Sequence, residues 1–375
     1  MIDHFMATTI YPNLILEALS KVRYPGTGKN LVEAGMVEDD IRIDGLKVSF
    51  SLIFDKPNSP FVKSVVKAAE TAILTYVGPD VEIKGNISVK MPELQPKVEA
   101  KLLPGVKNVV AIFSGKGGVG KSTVSANLAV ALAQAGYRVG LLDADIFGPS
   151  MPKMFGCEDA RPVLEEVDGR ELIAPVERYG VKLLSIGFFI DKASPVLWRG
   201  SMASNALKQL LSEGNWGELD YLLLDMPPGT SDIHLTLVQT LGLTGALVVT
   251  TPQQVAIADA IKGIGMFLDE KVGVPILGLV ENMAWFTPRE LPENRYYIFG
   301  RDGGRALAEE MGIPLLGQIP LVQGICEAGD EGAPSAIQTN SMTGIFFRTL
   351  AANLVEQVER RNAELAPTQR VEMTH

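Results

Sequence analysis

Residues 115–123 read GKGGVGKST, set between an apolar run, VVAIFS (109–114), and a helix-forming run, KSTVSANLAVALAQAG (121–136). Residues 115–122 satisfy the spacing G-x-x-x-x-G-K-[ST]. A strand, a glycine-rich turn and a helix in that order make a phosphate cradle. The glycines let backbone N–H groups turn inward, and the helix N-terminus adds its dipole. In such a cradle Lys121 reaches the β- and γ-phosphates and the Ser122 hydroxyl ligates Mg²⁺, while Gly115, Lys116, Gly117, Gly118, Val119, Gly120 and Thr123 complete the loop. The loop carries a second lysine, Lys116, where the spacing accepts any residue. Lys121 and the backbone amides already serve the loop's own phosphates. Lys116 therefore suits a role across a dimer interface, supplying charge to the partner's nucleotide as an arginine finger does. An exposed loop lysine without a role fits the spacing equally well.

Outward from the loop, short apolar strands alternate with helices: VGLLDAD (139–145), VKLLSIG (181–187), YLLLDMP (221–227), GALVVTT (245–251) and ILGLVENM (276–283). Several are apolar on both faces, as parallel strands covered by helices must be. The pattern predicts an α/β, doubly wound, mostly parallel sheet with its site at the C-terminal strand ends. YLLLDMPPGTSD (221–232) places Asp225 at such an end, suited to holding the Mg²⁺ shell. The following Pro-Pro-Gly is a stiff turn whose Gly229 N–H is expected to sense the γ-phosphate. Asp143 and Asp145 end another strand, and one of them, by preference Asp145, orients the attacking water. A lone strand-end aspartate is as often a cap or loop hydrogen bond. Three beside one phosphate loop favour chemistry.

Upstream, the Pro-containing stretch over 91–107 reads as a linker. It separates a P-loop ATPase domain (108–361) from a small α+β domain (10–90). The small domain offers a helix NLILEALSKV (13–22), an Asp44-Gly45 hairpin flanked by Ile41, Ile43 and the alternating Leu46, Val48, Phe50, Leu52 and Phe54, a helix from Ser59 to Tyr76, and a strand VEIKGNISV (81–89). Residues 362–375 read as a frayed, flexible tail.

Composition narrows the function. The 375 residues carry 44 acidic against 34 basic side chains, a net charge of −10, which disfavours a general nucleic-acid binder. No apolar run reaches the roughly 18 residues of a membrane span, and MIDHFMATTI lacks a signal-peptide pattern, so a cytoplasmic location and no membrane partner are expected. Two cysteines, Cys157 and Cys326, do not make a disulfide framework. His4, His234 and His375 are too scattered for a zinc spacing.

GKGGVGKST resembles the signature of the deviant-Walker ATPases, which include MinD, ParA and the Mrp-type iron–sulfur cluster carriers. The resemblance implies ATP with Mg²⁺ as cofactors, a homodimer closed around ATP, Lys116 acting in trans, Asn282 as an adenine contact, and a slow switch. Longer blocks resemble the Mrp branch: LLDADIFGPSMPKMFG (141–156), VLWRGSMASNALKQLL (196–211), TPQQVAIADA (251–260), LVENMAWF (279–286), IFGRDGGRALAEEMGIPLLGQIPL (298–321) and EAGDEGAP (327–334). VRYPGTGKNLVEAGMV (22–37) resembles the small SufT-like cluster-assembly domain. Membership implies an iron–sulfur cluster as cargo, with apoprotein clients and assembly factors as partners.

The chain departs from that branch at one place. Its carriers hold a bridging cluster through a C-x-x-C pair just after the ENM strand, and here ENMAWFTPRELPENRYYIFG (281–300) has no cysteine. In the small domain KPNSP puts Ser59 where relatives often carry a cysteine. Cys157 and Cys326 match no family ligand position, so the cluster ligands stay unassigned. Tyr296 and Tyr297 read as packing residues. The competing expectation is a MinD- or ParA-like positioning switch without a cluster. In a third, the small domain docks clients while the ATPase gates release.

Overall fold

The computed structural model describes residues 10–25, 28–54, 61–90, 102–190, 200–230, 232–288 and 290–366. Ser59, residues 91–101 of the linker, residues 196–199 and the tail beyond 366 lie outside them. The chain's contacts divide it into two compact units, Met1–Glu99 and Ala100–His375.

The first unit contains α1 (Pro12–Leu19), β1 (Arg42–Asp44), β2 (Lys47–Ile53), α2 (Val62–Tyr76) and β3 (Ile87–Lys90). β1 and β2 pair antiparallel across the Asp44-Gly45 turn, where Gly45 sits at φ 60°. β2 then pairs parallel with β3, which the chain reaches through α2. Val48, Phe50 and Leu52, every second residue of β2, are buried against Ile15, Leu19, Val65, Ala69 and Ile73 of the helices. Leu46, expected in the same row, is exposed because it stands at the turn. The first helix stops at Leu19, three residues short of expectation, since Lys21 and Val22 bond back to Ala18 and Leu19 in tighter turns. The last strand is shorter too: residues 83–86 turn, with the Asn86 N–H donating to Ile83 O.

The second unit holds β4 (Val106–Phe113), α3 (Lys121–Gln134), β5 (Val139–Asp143), α4 (Met151–Met154), β6 (Leu164–Val167), β7 (Arg170–Ile173), β8 (Val176–Arg178) and β9 (Val181–Ser185). It continues through α5 (Gly200–Glu213), β10 (Leu219–Asp225), α6 (Asp232–Thr240), β11 (Gly245–Thr250), α7 (Gln254–Leu268), β12 (Ile276–Phe286), α8 (Gly303–Met311), β13 (Leu315–Leu321), α9 (Gln323–Asp330) and α10 (Met342–Glu364). The main sheet runs β13-β12-β11-β4-β10-β5-β9-β8, parallel except for β8, and β6–β7 form a separate hairpin.

Two cores lie on the two faces of this sheet. Val109, Ala111 and Phe113 of β4 join α5, α6, α7 and α8, while Val110 and Ile112 join α3 and α10. Alternation along one strand thus serves both layers, and each fully buried aliphatic side chain adds about 1.5–3 kcal/mol. From β4 the chain crosses through α3 to β5 on one side, and from the adjacent β10 it crosses through α6 to β11 on the other, with α3 and α6 on opposite faces of the sheet. That is the switch point beside which ligands of open α/β sheets bind.

Two ends differ from expectation. β4 begins at Val106, so the last linker residues belong to the sheet. α10 continues to Glu364, and Asn362 Nδ2 donates to Asn108 Oδ1 at 2.9 Å, so the first residues of the expected tail are tied down.

Candidate functional site

The phosphate loop leaves β4 at Ser114 and enters α3 at Lys121. Gly118 and Gly120 both lie in the left-handed region, at φ 81° and 82°. A Cβ on Gly115 would fall 2.1 Å from the Asp259 carbonyl carbon of α7, and one on Gly120 would fall 2.2 Å from Asn282 Nδ2. Glycine is required there by conformation and by space.

Strand register brings the acids to this loop. Asp225 of β10 stands opposite Ile112 of β4 and Asp143 of β5. Ser122 Oγ donates to Asp225 Oδ2 at 2.7 Å, and Lys121 Nζ lies 2.8 Å from the same oxygen. Ser125 Oγ donates to the other oxygen, Oδ1, at 2.6 Å. Asp225 is fully buried and Lys121 nearly so.

Asp143 is fully buried as well. Its Oδ2 accepts from Ser185 Oγ at 2.9 Å and from the Met151 N–H at 3.2 Å. Burial, followed by the neighbouring Asp225 charge, pushes its pKa up to about 7. Asp143 thus braces the turn that follows β5. Asp145 is half-buried, and burial raises its pKa against the lowering influence of Lys121.

Gly229, expected at the γ-phosphate, Asn282, expected at the adenine, and Lys116, expected to act on the partner's nucleotide, complete the expected site. The Gly229 N–H donates to Ser114 O at 2.9 Å, because β4 and β10 keep exchanging backbone bonds beyond their ladder. The N–H expected to sense the γ-phosphate thus bonds the flank of the phosphate loop itself. Asn282 Nδ2 donates to Val119 O at 2.8 Å, inside the loop. Lys116 is exposed, and among the described residues it forms no ion pair.

Some site residues went unread in the sequence. Ser125 is one turn into a helix, where a serine announces nothing. Glu281, beside Asn282, is fully buried. It accepts from the Gly304 N–H at the start of α8 and from Gln318 Nε2 at 2.7 Å. Gln318 Oε1 in turn accepts from Arg305 Nη2 at 2.7 Å. A polar pair at the end of an apolar strand was the available signal.

The donor chemistry suits Mg²⁺, which takes hard oxygen ligands: a serine hydroxyl and a carboxylate oxygen lie 2.7 Å apart. No comparable set of sulfur ligands forms among the described residues. Cys157 is half-buried and burial pushes its thiol up to about 11. Cys326 is exposed on α9, its Sγ 4.0 Å from Asp330 Oδ2. Among the described residues no group of three or more His, Cys, Asp or Glu is placed to hold a metal. The segment after the ENM strand is closed by paired backbone bonds between Phe286 and Tyr296, both 2.8 Å. Arg295 stacks over Trp285 at 4.3 Å and Arg301 over Tyr297 at 4.8 Å, so Tyr297 belongs to packing, whereas the Tyr296 side chain is exposed. No helix among the described residues is long and apolar enough to cross a membrane.

A family model described as NUBPL iron-transfer P-loop NTPase matches residues 105–355, well over half of the chain. The chain belongs to the NUBPL iron-transfer P-loop NTPase family. A second model, described as an iron–sulfur cluster assembly protein, matches residues 13–84. The "Iron-sulfur cluster carrier protein" of Synechocystis is 44% identical over 346 residues, covering 92% of this chain and 97% of that protein. Its namesake in Deinococcus radiodurans is 40% identical over 95% of this chain and 98% of its own. A nucleotide-binding protein from Archaeoglobus fulgidus, solved in complex with ADP, is similar with a TM-score of 0.53 and 38% identity, over 61% of this chain and 88% of that one. In this NUBPL-family chain, the α/β sheet and the phosphate loop both fall within the matched 105–355.

Proposed function

We propose that this chain binds and hydrolyses ATP and carries iron–sulfur clusters to apoproteins, a reading supported by curated relatives named iron–sulfur cluster carrier proteins. The observation that carries the ATPase is the convergence of Ser122 Oγ and Lys121 Nζ on Asp225 Oδ2, at 2.7 and 2.8 Å, at the mouth of a glycine-rich loop. Lys121 binds the β- and γ-phosphates. Ser122 and Asp225 hold Mg²⁺, which neutralises phosphate charge, and the backbone from Gly115 to Thr123 wraps the nucleotide. Asp145, half-buried beside Lys121, positions the water. Asn282 lines the base side of the loop.

The working form is a homodimer in the cytoplasm, with Lys116 of each copy offered to the other's nucleotide. ATP closes the pair and hydrolysis releases it, at a switch's slow rate. The unit over 10–90 recognises clients or assembly factors, 91–107 joins it to the ATPase over 108–361, and 362–375 ends the chain. The cluster is cargo. With two cysteines per chain, a four-thiolate cluster at a two-fold interface would draw on Cys157 and Cys326 of both copies.

The test is anaerobic reconstitution with iron and sulfide, with and without ATP, followed by transfer to an apoprotein. Bound, labile iron and sulfide that move to the acceptor support the carrier. ATP turnover without bound iron or sulfide under any nucleotide condition would overturn it. A switch without cargo would then remain, which the lack of a cysteine in residues 281–300 favours as the second reading.

A further inference from the structure

Asp225 is a buried carboxylate with two differently employed oxygens. Oδ2 looks into the phosphate loop, where Ser122 Oγ and Lys121 Nζ reach it. Oδ1 looks back toward α3, where the Ser125 hydroxyl meets it at 2.6 Å. Ser125 is itself fully buried. Its one proton has two candidate acceptors. The Lys121 carbonyl, four residues earlier, is the usual helical partner and lies 3.0 Å away. The carboxylate is nearer and charged, so it takes the proton.

We propose that Ser125 is a positioning residue for the metal: by holding Asp225 Oδ1 it fixes the plane of the carboxylate and keeps Oδ2 turned toward Ser122 and the bound cation. The inference rests on the assignment of Ser122 and Asp225 to Mg²⁺. The terminal torsion of an aspartate is broad and roughly two-fold, so an unheld carboxylate rotates readily. Without the Ser125 hydroxyl, Oδ1 is a charged, buried acceptor lacking that bond. Rotation toward Ser122 and Lys121 then relieves it at the expense of the metal-facing geometry. Partners of this kind, one step behind the ligand, commonly set metal affinity by about 10–100-fold.

Three substitutions separate the hydroxyl from its shape. Ser125→Ala removes one oxygen and leaves a good helix former. Ser125→Thr and Ser125→Val form a matched pair of the same outline, with and without the hydroxyl. The readout is the Mn²⁺ concentration for half-saturation of the ADP complex, followed by the loss of the free Mn²⁺ paramagnetic resonance signal. ADP affinity in EDTA is measured alongside. Ser125→Ala and Ser125→Val are expected to need about tenfold or more Mn²⁺, with metal-free ADP affinity within about twofold of wild type, and Ser125→Thr to recover most of the loss. Equal Mn²⁺ demand in the Thr and Val proteins overturns the role of Ser125, and that pair decides the question should the alanine protein fail to fold. Ser122→Ala and Asp225→Asn serve as references. If they too leave Mn²⁺ binding unchanged, the metal assignment itself fails, and Ser125 with it. If they weaken it while Ser125→Val does not, only the role of Ser125 falls.

Discussion

Lys121 Nζ lies 2.8 Å from Asp225 Oδ2, and both side chains are closed off from water. A buried pair of this kind is two-sided. The attraction is strong, but desolvation offsets most of it, and removing one partner exposes the cost of the other. A triphosphate in the loop would compete with Asp225 for the same ammonium, so nucleotide binding and this ion pair are coupled.

Lys121→Ala is therefore expected to destabilise the nucleotide-free protein by about 3–5 kcal/mol, because Asp225 keeps a buried charge without its counterion. ATP turnover should vanish. Urea denaturation and phosphate release measure the two effects. Unchanged turnover in the pure variant would remove the site assignment.

Lys116→Ala should behave in the opposite way. The side chain is exposed and forms no ion pair among the described residues, so stability and ATP binding should stay close to wild type. Hydrolysis should slow by about a hundredfold or more, the usual loss for one charge-stabilising donor. Mixing the variant with Asp145→Ala protein should restore part of the activity in heterodimers. No recovery would count against action across the interface.

Gly120→Ala places a Cβ 2.2 Å from Asn282 Nδ2 on a residue at φ 82°. The Val119 carbonyl then loses its bond from Asn282 or the loop shifts. ADP affinity by calorimetry is expected to drop by about tenfold or more, corresponding to a loss of at least about 1.4 kcal/mol. Full affinity would show that the loop tolerates another conformation.

The two thiols should separate by pH. Burial pushes Cys157 up to about 11, so at pH 8 roughly one molecule in a thousand carries the thiolate. Cys326 is exposed. Iodoacetamide at pH 8 should label Cys326 first, and the Cys157 rate should rise about tenfold per pH unit toward 11 while the fold is retained. Peptide mass mapping reads the order. Equal rates at pH 8 would contradict the burial of Cys157.

Glu281→Gln leaves one carbonyl oxygen where two carboxylate oxygens now accept from Gly304 N–H and Gln318 Nε2. One of the two bonds becomes a donor facing a donor, at a cost of about 1–3 kcal/mol. The urea midpoint should fall at an unchanged slope, with metal demand unaltered.

The legible parts of this chain were those where one local rule suffices. GKGGVGKST needs a strand before it and a helix after it, and both are present. YLLLD is apolar on both faces and ends in an acid, so its central place and the position of Asp225 follow together. β13 hides behind its Gly-Gln-Ile-Pro interior, which breaks the apolar run, and was visible only as part of a family block. The β6–β7 hairpin alternates weakly between exposed and half-buried residues. Ser125 and Glu281 acquire meaning only from partners that lie 100 and 37 residues away in sequence. Gly229 was read correctly as a turn. Its N–H went to the neighbouring strand's backbone, a choice that register decides and composition does not.

Glu281 and Asn282 are consecutive on β12, so their side chains leave opposite faces of the sheet. One grips the first turn of α8 and the other grips Val119 in the phosphate loop. The spacing of this strand is consequently fixed to the residue. A single insertion between Ile276 and Glu281 would exchange the two side chains between faces. The amide would then meet α8 and the carboxylate would meet the phosphate loop, setting negative charge against the phosphates. Substitutions along β12 can be absorbed by repacking, but a change of its length by one cannot.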